Sequence, residues 1–232
     1  MRVAVVSDIH GNLTAFEAVL KDLREAAPDR IVHLGDLAGP GSSPVEGVDA
    51  VRGLGWLGVY GNTDEMLFRP GSLSEFAAGL PQLRPMSDKI AEMSAWMQAE
   101  LGHARVAWLG GLPSQLRMDG MALVHASSAS TWRLATDASI YGELGESLVF
   151  HGHTHQPSIM QAGALKIVNA GSVGQPLDGD PRACYVLLDD LRSSIRRVEY
   201  ELERELDRVA NSALPHADWI RRTLRAATPQ AA

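Results

Sequence analysis

Residues 1–12 read MRVAVVSDIHGN, and the change from apolar to polar chemistry inside them sets the plan of the whole chain. Val3–Val6 is a short apolar run that ends at Ser7 and Asp8, the pattern of a strand buried on both faces. Residues 13–25 place Leu13, Phe16, Val19, Leu20 and Leu23 at helical spacing, and Pro28 closes that segment. Thr14-x-x-Glu17 offers a capping box for this helix, and Asn12 offers a rival cap. Ile31–Leu34 reads as a second strand, 44–54 as a helix and Trp56–Tyr60 as a third strand. Strand–helix–strand repetition implies parallel pairing with right-handed crossovers.

Further along, the pattern changes. No strand signal occurs between 65 and 114, where Ile90, Met93, Trp96, Met97 and Leu101 form an apolar helical stripe with Ser87 as a candidate cap. We read the stripe as core packing, and about 65–114 as a helical insertion in a single domain spanning 1–232. The insertion is expected to pack near the sheet and border the active site. Strand patterns return at 115–118, 121–125, 147–150, 158–161, 164–168, 183–189 and 194–200. Turns such as Asp119-Gly120 and Ala162-Gly163 signal hairpins and antiparallel pairing. Leu202, Leu206, Val209 and Ala213 fit one helix face, Pro215 interrupts it, and 216–227 forms a last short helix. The pattern itself supports an α/β fold with a mixed sheet.

Bulk chemistry narrows the function classes. The 232 residues carry a formal net charge of -7, which disfavours non-specific binding along a nucleic-acid backbone. Cys184 is the only cysteine, so no intramolecular disulfide forms, in keeping with a reducing cytosol. The apolar start is too short for a signal peptide, and no run approaches the ~18 apolar residues of a membrane span. A soluble, cytoplasmic protein with no membrane partner is expected.

Five polar clusters leave apolar strands: Asp8-Ile9-His10, Gly35-Asp36, Gly61-Asn62-Thr63-Asp64, His125, and His151-Gly152-His153-Thr154-His155. In an open α/β sheet the carboxyl ends of parallel strands converge on one rim, where ligands bind. Carboxylates, imidazoles and an amide oxygen suit manganese, iron, zinc or cobalt; an all-oxygen set would suit magnesium or calcium. Carboxylates gathered there would repel unless cations sat among them. His33 reads as a packed or supporting histidine, His151 as supporting or structural, and His103 and His216 as surface residues.

These blocks resemble, in order, the five motif blocks of the calcineurin-like metallophosphoesterase superfamily. The segment 168–176, Val-Asn-Ala-Gly-Ser-Val-Gly-Gln-Pro, resembles the loop after the histidine-rich block in its compact bacterial and archaeal, phosphodiesterase-like branch. The resemblance implies a four-layer α/β/β/α sandwich with mixed sheets and two divalent metal ions, manganese first, with iron, zinc, nickel or cobalt as alternatives. One ion would be held by Asp8, His10, Asp36 and His155, the other by Asp36, Asn62, His125 and His153. Asp36 would bridge them, and Asp36 and Asn62 are the catalytic candidates. A metal-activated hydroxide would then attack the phosphorus in line. Asn12 and Thr63 are candidate substrate contacts, Asp64 a candidate to orient Asn62, and Asn169 and Ser172 candidates to orient His153 or His155.

The sequence departs from the family pattern at three linked places. Many members carry a histidine after the asparagine, and here that position is Thr63. The aspartate and arginine that accompany that histidine in the superfamily's protein phosphatases are replaced by Gly39 and Pro40. All seven candidate metal ligands remain. The combination favours a phosphodiesterase acting on a small phosphate ester or nucleotide. The alternatives are a phosphomonoesterase, a dinucleotide polyphosphatase, or a non-catalytic metal-binding scaffold or regulator, the use one relative, a retromer subunit, makes of this fold. Exposed apolar surface on the insertion would suit a homodimer.

Overall fold

A computed structural model of the chain describes residues 1–135 and 137–231. β1 (Arg2–Val6) pairs in parallel with β2 (Arg30–His33), placing Val5 opposite Val32, and β2 pairs in parallel with β3 (Leu57–Gly58). On its other side β1 meets β9 (Ala183–Asp189) antiparallel, and β9 forms a hairpin with β10 (Arg192–Val198). The first sheet therefore runs β10-β9-β1-β2-β3. The second contains β4 (Gln115–Met118), β5 (Met121–Val124), β6 (Leu148–His151), β7 (Ser158–Ala162) and β8 (Leu165–Asn169), in the order β4-β5-β6-β8-β7.

Antiparallel hairpins occupy only the flanks of that second sheet, β4 with β5 and β7 with β8. The hairpins expected at Asp119-Gly120 and Ala162-Gly163 are these two flanks, while the centre is parallel, β5 with β6 and β6 with β8, so the sheet is mixed. A tight turn leaves a local signature, whereas parallel neighbours are joined by longer connections that leave none.

Alternation along each strand builds the layers. Val3 and Val5 face Met121, Leu123, Phe150 and Val168 of the opposite sheet, all buried. Ala4 and Val6 face the other way, onto α1 (Leu13–Ala26), α2 (Pro44–Leu54) and the long α5 (Arg84–Gly110) through Phe16, Val19, Val48 and Met97. Ala122, Val124, Val149 and Ile167 meet Tyr141 of α6 (Ala138–Gly142) and Leu144 on the outside of the second sheet. The result is the expected α/β/β/α sandwich. Val3–Val6 is apolar without a break because both faces of the strand are covered, and each buried valine contributes roughly 1.5–3 kcal/mol.

Between β3 and β4 the chain is helical: α3 (Asn62–Phe68), α4 (Ser72–Ala77), a 3₁₀ turn at Pro81–Leu83, and α5. Gly102 breaks the regular course of α5 with φ 67°. Ser87 lies inside α5, which begins at Arg84, so it is no cap. After β10, α7 (Leu202–Ala210) and α8 (Ala217–Ala226) pack Leu206, Val209, Ile220 and Leu224 against Met93. Among the described residues no helix is long and apolar enough to cross a membrane.

Local signals misled in two places. Asn12 caps α1, its Oδ1 accepting from the Ala15 N–H at 2.9 Å, while the Thr14 hydroxyl donates to Glu205 Oε2 at 2.7 Å. A distant carboxylate thus takes the hydroxyl that a capping box would have used. The third strand is shorter than 56–60, because it lies at the sheet edge and Tyr60 donates its N–H to Pro113 O instead.

His33 on β2 is fully buried, and among the described residues neither ring nitrogen has a hydrogen-bond partner. Burial pushes its pKa down to about 4 from 6.5. The folded state therefore holds it neutral, while the unfolded chain takes up a proton near pH 6.5. Its contribution to stability is complete above that pH and is lost as the pH falls towards about 4, a difference of about 3 kcal/mol at ~1.4 kcal/mol per pH unit. His33→Leu is expected to flatten the acid-side decline in urea-unfolding free energy between pH 6.5 and 4. A decline as steep as that of the parent protein would refute this.

Candidate metal centre

The strand order sends five loops to one rim. β1 delivers Asp8 and His10, β2 delivers Asp36, and Asn62 opens α3 directly after β3. From the facing sheet, β5 delivers His125 and β6 delivers His153 and His155. The ligand atoms of Asp8, His10, Asp36 and His155 lie within 4.8 Å of one another, and all four residues are buried. His155 Nε2 is 3.2 Å from Asp8 Oδ1, and His10 Nε2 is 3.5 Å from Asp36 Oδ2. On the other side of Asp36, His125 Nε2 is 3.4 Å from Asp36 Oδ1 and 2.9 Å from Asn62 Oδ1. His153 Nδ1 is 2.8 Å from that same Asn62 oxygen. All seven sequence-predicted side chains converge, in two groups that share Asp36.

Backbone conformation marks the same positions. Asp8 (φ 55°), His10 (50°), Asp36 (53°), His153 (68°) and His155 (58°) all adopt left-handed φ. Side-chain-bearing residues avoid that region unless surrounding contacts enforce it, and such strain gathers at functional sites. Here the enforcing contacts are loop-to-loop hydrogen bonds: Asp8 N–H to Gly35 O, His10 N–H to Asp36 O, and Gly152 N–H to His125 O.

Supporting groups fix the imidazoles. Nδ1–H of His125 donates to Leu34 O at 2.7 Å, and Nδ1–H of His155 donates to Gln175 O at 2.6 Å. Each bond turns Nε2 towards the centre, the arrangement by which carbonyls set the tautomer of a metal-binding histidine. Asn169 donates to Gly152 O and Thr154 Oγ1, both at 2.9 Å, so it orders the loop that carries His153 and His155. The Ser172 hydroxyl accepts from the Gln175 N–H at 2.8 Å, and so steadies the residue whose carbonyl holds His155, while it donates to the Asp8 carbonyl at 2.8 Å. The Asp64 carboxylate accepts from the N–H groups of Leu37, Ala38 and Gly61, so it acts on Asn62 through the main chain, tying the residue before it to the loop after Asp36. Leu34 and Gln175 act through their main-chain carbonyls, for which residue type gives no signal. Glu65 was also missed; it is buried and accepts from Trp132 Nε1 at 3.0 Å and from Thr131.

Charge is balanced by proximity. Burial works to raise Asp8 and Asp36, but nearby histidines hold Asp8 well below, and Asp36 below, the usual carboxylate value. Burial works to lower His125, and Asp36 overrides it, raising His125 to about 9. His153, with burial dominant, falls to about 4. Burial together with the Asp36 charge raises Asp64 to about 7. Among the described residues the buried Asp8 Oδ1 accepts no hydrogen bond, and the Nε2 atoms of His10 and His155 face each other at 3.0 Å. A cation amid these lone pairs satisfies all of them, and nitrogen with oxygen donors fits a first-row transition ion.

The amino-acid sequence says the same. Residues 1–192 match the model of the calcineurin-like phosphoesterase superfamily domain. The chain belongs to that superfamily. A metallophosphoesterase from Sphaerobacter thermophilus shares 29% identity and a TM-score of 0.79, with 98% of this chain and 100% of the other covered. A hypothetical protein from Pyrococcus horikoshii shares the fold at TM-score 0.81 and 20% identity, covering 99% of each chain. An uncharacterized protein of Methanocaldococcus jannaschii is 29% identical over 247 residues, covering 94% of this chain and 95% of its own length. Superfamily membership supports a hydrolase of phosphoesters, and the Asp8, His10, Asp36 and His155 group could hold a metal ion.

Above the centre lies a cavity of about 330 Å³ whose floor includes His10, Asp36, Asn62, His153 and His155. Met86, Ile90, Met93 and Met97 of α5 form one wall and Trp219 and Ile220 of α8 another. The methionine stripe, read from sequence as core packing, therefore has two roles. Met93 and Met97 are buried, yet they also border the cavity. Thr63 reaches the cavity as expected, although its hydroxyl is committed to Ala38 O at 2.6 Å. Asn12 does not: it is 1% exposed, and its amide caps α1 and donates to Gly174 O at 2.8 Å. The expected substrate contact at Asn12 is thus replaced by a structural one.

Proposed function

We propose that the protein is a dinuclear metal-dependent phosphodiesterase acting on a small phosphate ester, with manganese as the preferred ion. The observation that carries this reading is the single buried Asp36 carboxylate standing between two donor groups. Asp8, His10 and His155 would complete one metal site, and Asn62, His125 and His153 the other. A pair of bound ions supplies an activated water and neutralises charge developing on the phosphorus.

The chain's own groups set the geometry around that chemistry. The Thr63 N–H donates to Asp36 Oδ1 at 2.8 Å and holds the carboxylate in its shared position. The Asn62 amide turns its oxygen to His125 and His153, which leaves its NH₂ edge for a phosphate oxygen. His10, Asp36, His153 and His155 are the only titratable side chains lining the cavity among the described residues, and every one of them belongs to the metal donor set. No separate general acid stands by the leaving group, so esters whose leaving group departs as a stabilised anion are favoured.

Hydrolysis of bis-p-nitrophenyl phosphate by the manganese-loaded protein, abolished by chelator and restored by metal, is the test. Binding of two metal equivalents with no ester cleaved would replace this reading with a scaffold or regulator. Thr63→His would place an imidazole at the cavity and is expected to raise monoesterase relative to diesterase turnover by about tenfold. An unchanged ratio would show that the missing acid does not set substrate class.

A further inference from the structure

The cavity is chemically two-sided. Its floor is the candidate metal centre, whereas its walls are methionine, isoleucine and tryptophan, and among the described residues no lysine or arginine lines it. Cationic side chains exist nearby but are directed away. On α8, Trp219, Ile220 and Thr223 face the cavity, while Arg221, Arg222 and Arg225 border separate surface depressions on the other side of the same helix. Neutral polar side chains interrupt the apolar wall at Gln175, Thr223 and Gln230, and none of them carries a charge.

A nucleoside polyphosphate that seats its further phosphates inside the cavity lays them against this wall. Burying a charge without a countercharge is heavily unfavourable, and two ions on the floor can neutralise only the phosphate that sits on them. An apolar group meets the opposite situation, since every ångström of it removed from water against these side chains is favourable. Flexible methionines accommodate such a group without demanding one shape. The α8 wall lies outside the residues 1–192 that match the superfamily domain, so the domain match alone does not set this part of the cavity.

We infer that the cavity selects phosphoesters with an uncharged, apolar organic group of about one ring, seated between α5 and α8, and excludes nucleoside polyphosphates. The inference rests on the phosphoesterase reading for the place of the phosphate, and on the walls for the rest.

Calorimetric titration of the manganese-loaded full chain separates the two. Phenylphosphonate is expected to bind about tenfold more tightly than methylphosphonate, which carries the same head without the ring. Met86→Arg, at a half-buried wall position, should shrink that preference to within about twofold. In parallel, bis-p-nitrophenyl phosphate should be hydrolysed at least tenfold faster than diadenosine tetraphosphate. Equal affinity for the two phosphonates, no binding of either, or faster cleavage of the tetraphosphate overturns the inference. A ring preference without cleavage of any ester would retain the cavity's selectivity and remove the phosphoesterase reading. Ester cleavage without ring preference would do the reverse.

Discussion

Asp36→Asn is expected to lower kcat/KM by about 10³-fold and to reduce bound metal at both sites, because one carboxylate serves both donor groups. The replacement keeps shape and an oxygen for the Thr63 N–H, so the loss is electrostatic rather than steric. Removing one partner from a buried charged cluster costs about 3–5 kcal/mol, and each ~1.4 kcal/mol is tenfold in rate. A second readout does not need turnover. In the metal-free protein Asp36 is what raises His125 to about 9 against burial, so the His125 titration followed by NMR should move down in the variant. Turnover at the parent level with two metal equivalents retained would end the bridging role.

Gly61→Ala should be nearly as damaging for a different reason. The Gly61 backbone, φ -104° and ψ -177°, is one any residue adopts, so conformational freedom is not at issue. Space is: an added Cβ would lie 2.0 Å from Asp36 Oδ1 and 2.4 Å from the Asp36 main-chain nitrogen. The second contact is with backbone and cannot be relieved by a rotamer change. A loss of about 2–3 kcal/mol is expected, or about 5–10 °C in Tm at this chain length, together with loss of metal affinity. Gly53→Ala is the control. It lies exposed in α2 with nothing within 4 Å of an added Cβ, and should stabilise by about 0.5–1 kcal/mol. Equal effects from the two substitutions would mean that close approach at Gly61 is not what holds Asp36.

Asp8, His10, Asp36, Asn62, His125, His153 and His155 were all legible in the chain because each sits where a strand's apolar run stops, and strand ends are written in local chemistry. The sandwich came from the resemblance; the unbroken apolar runs Val3–Val6 and Met121–Val124 by themselves said only that both faces of those strands are covered. Asn12 and Thr14 were harder, since choosing between two adjacent caps depends on Glu205, 191 positions away from Thr14.

Local order in the chain was enough to place most strands and helices and the polar clusters at strand ends, since hydrophobic period and turn chemistry act over a few residues. The candidate ligand set came from the order of those clusters and their resemblance to the superfamily. The parallel centre of the second sheet, the left-handed backbone at the ligands and the carbonyls of Leu34 and Gln175 behind the histidines came only with folding. So did the meeting of α5 and α8 in an apolar wall above the candidate metal centre. Those features arise from contacts between residues far apart in sequence, and main-chain groups, which supply many of them, are the same whatever the side chain.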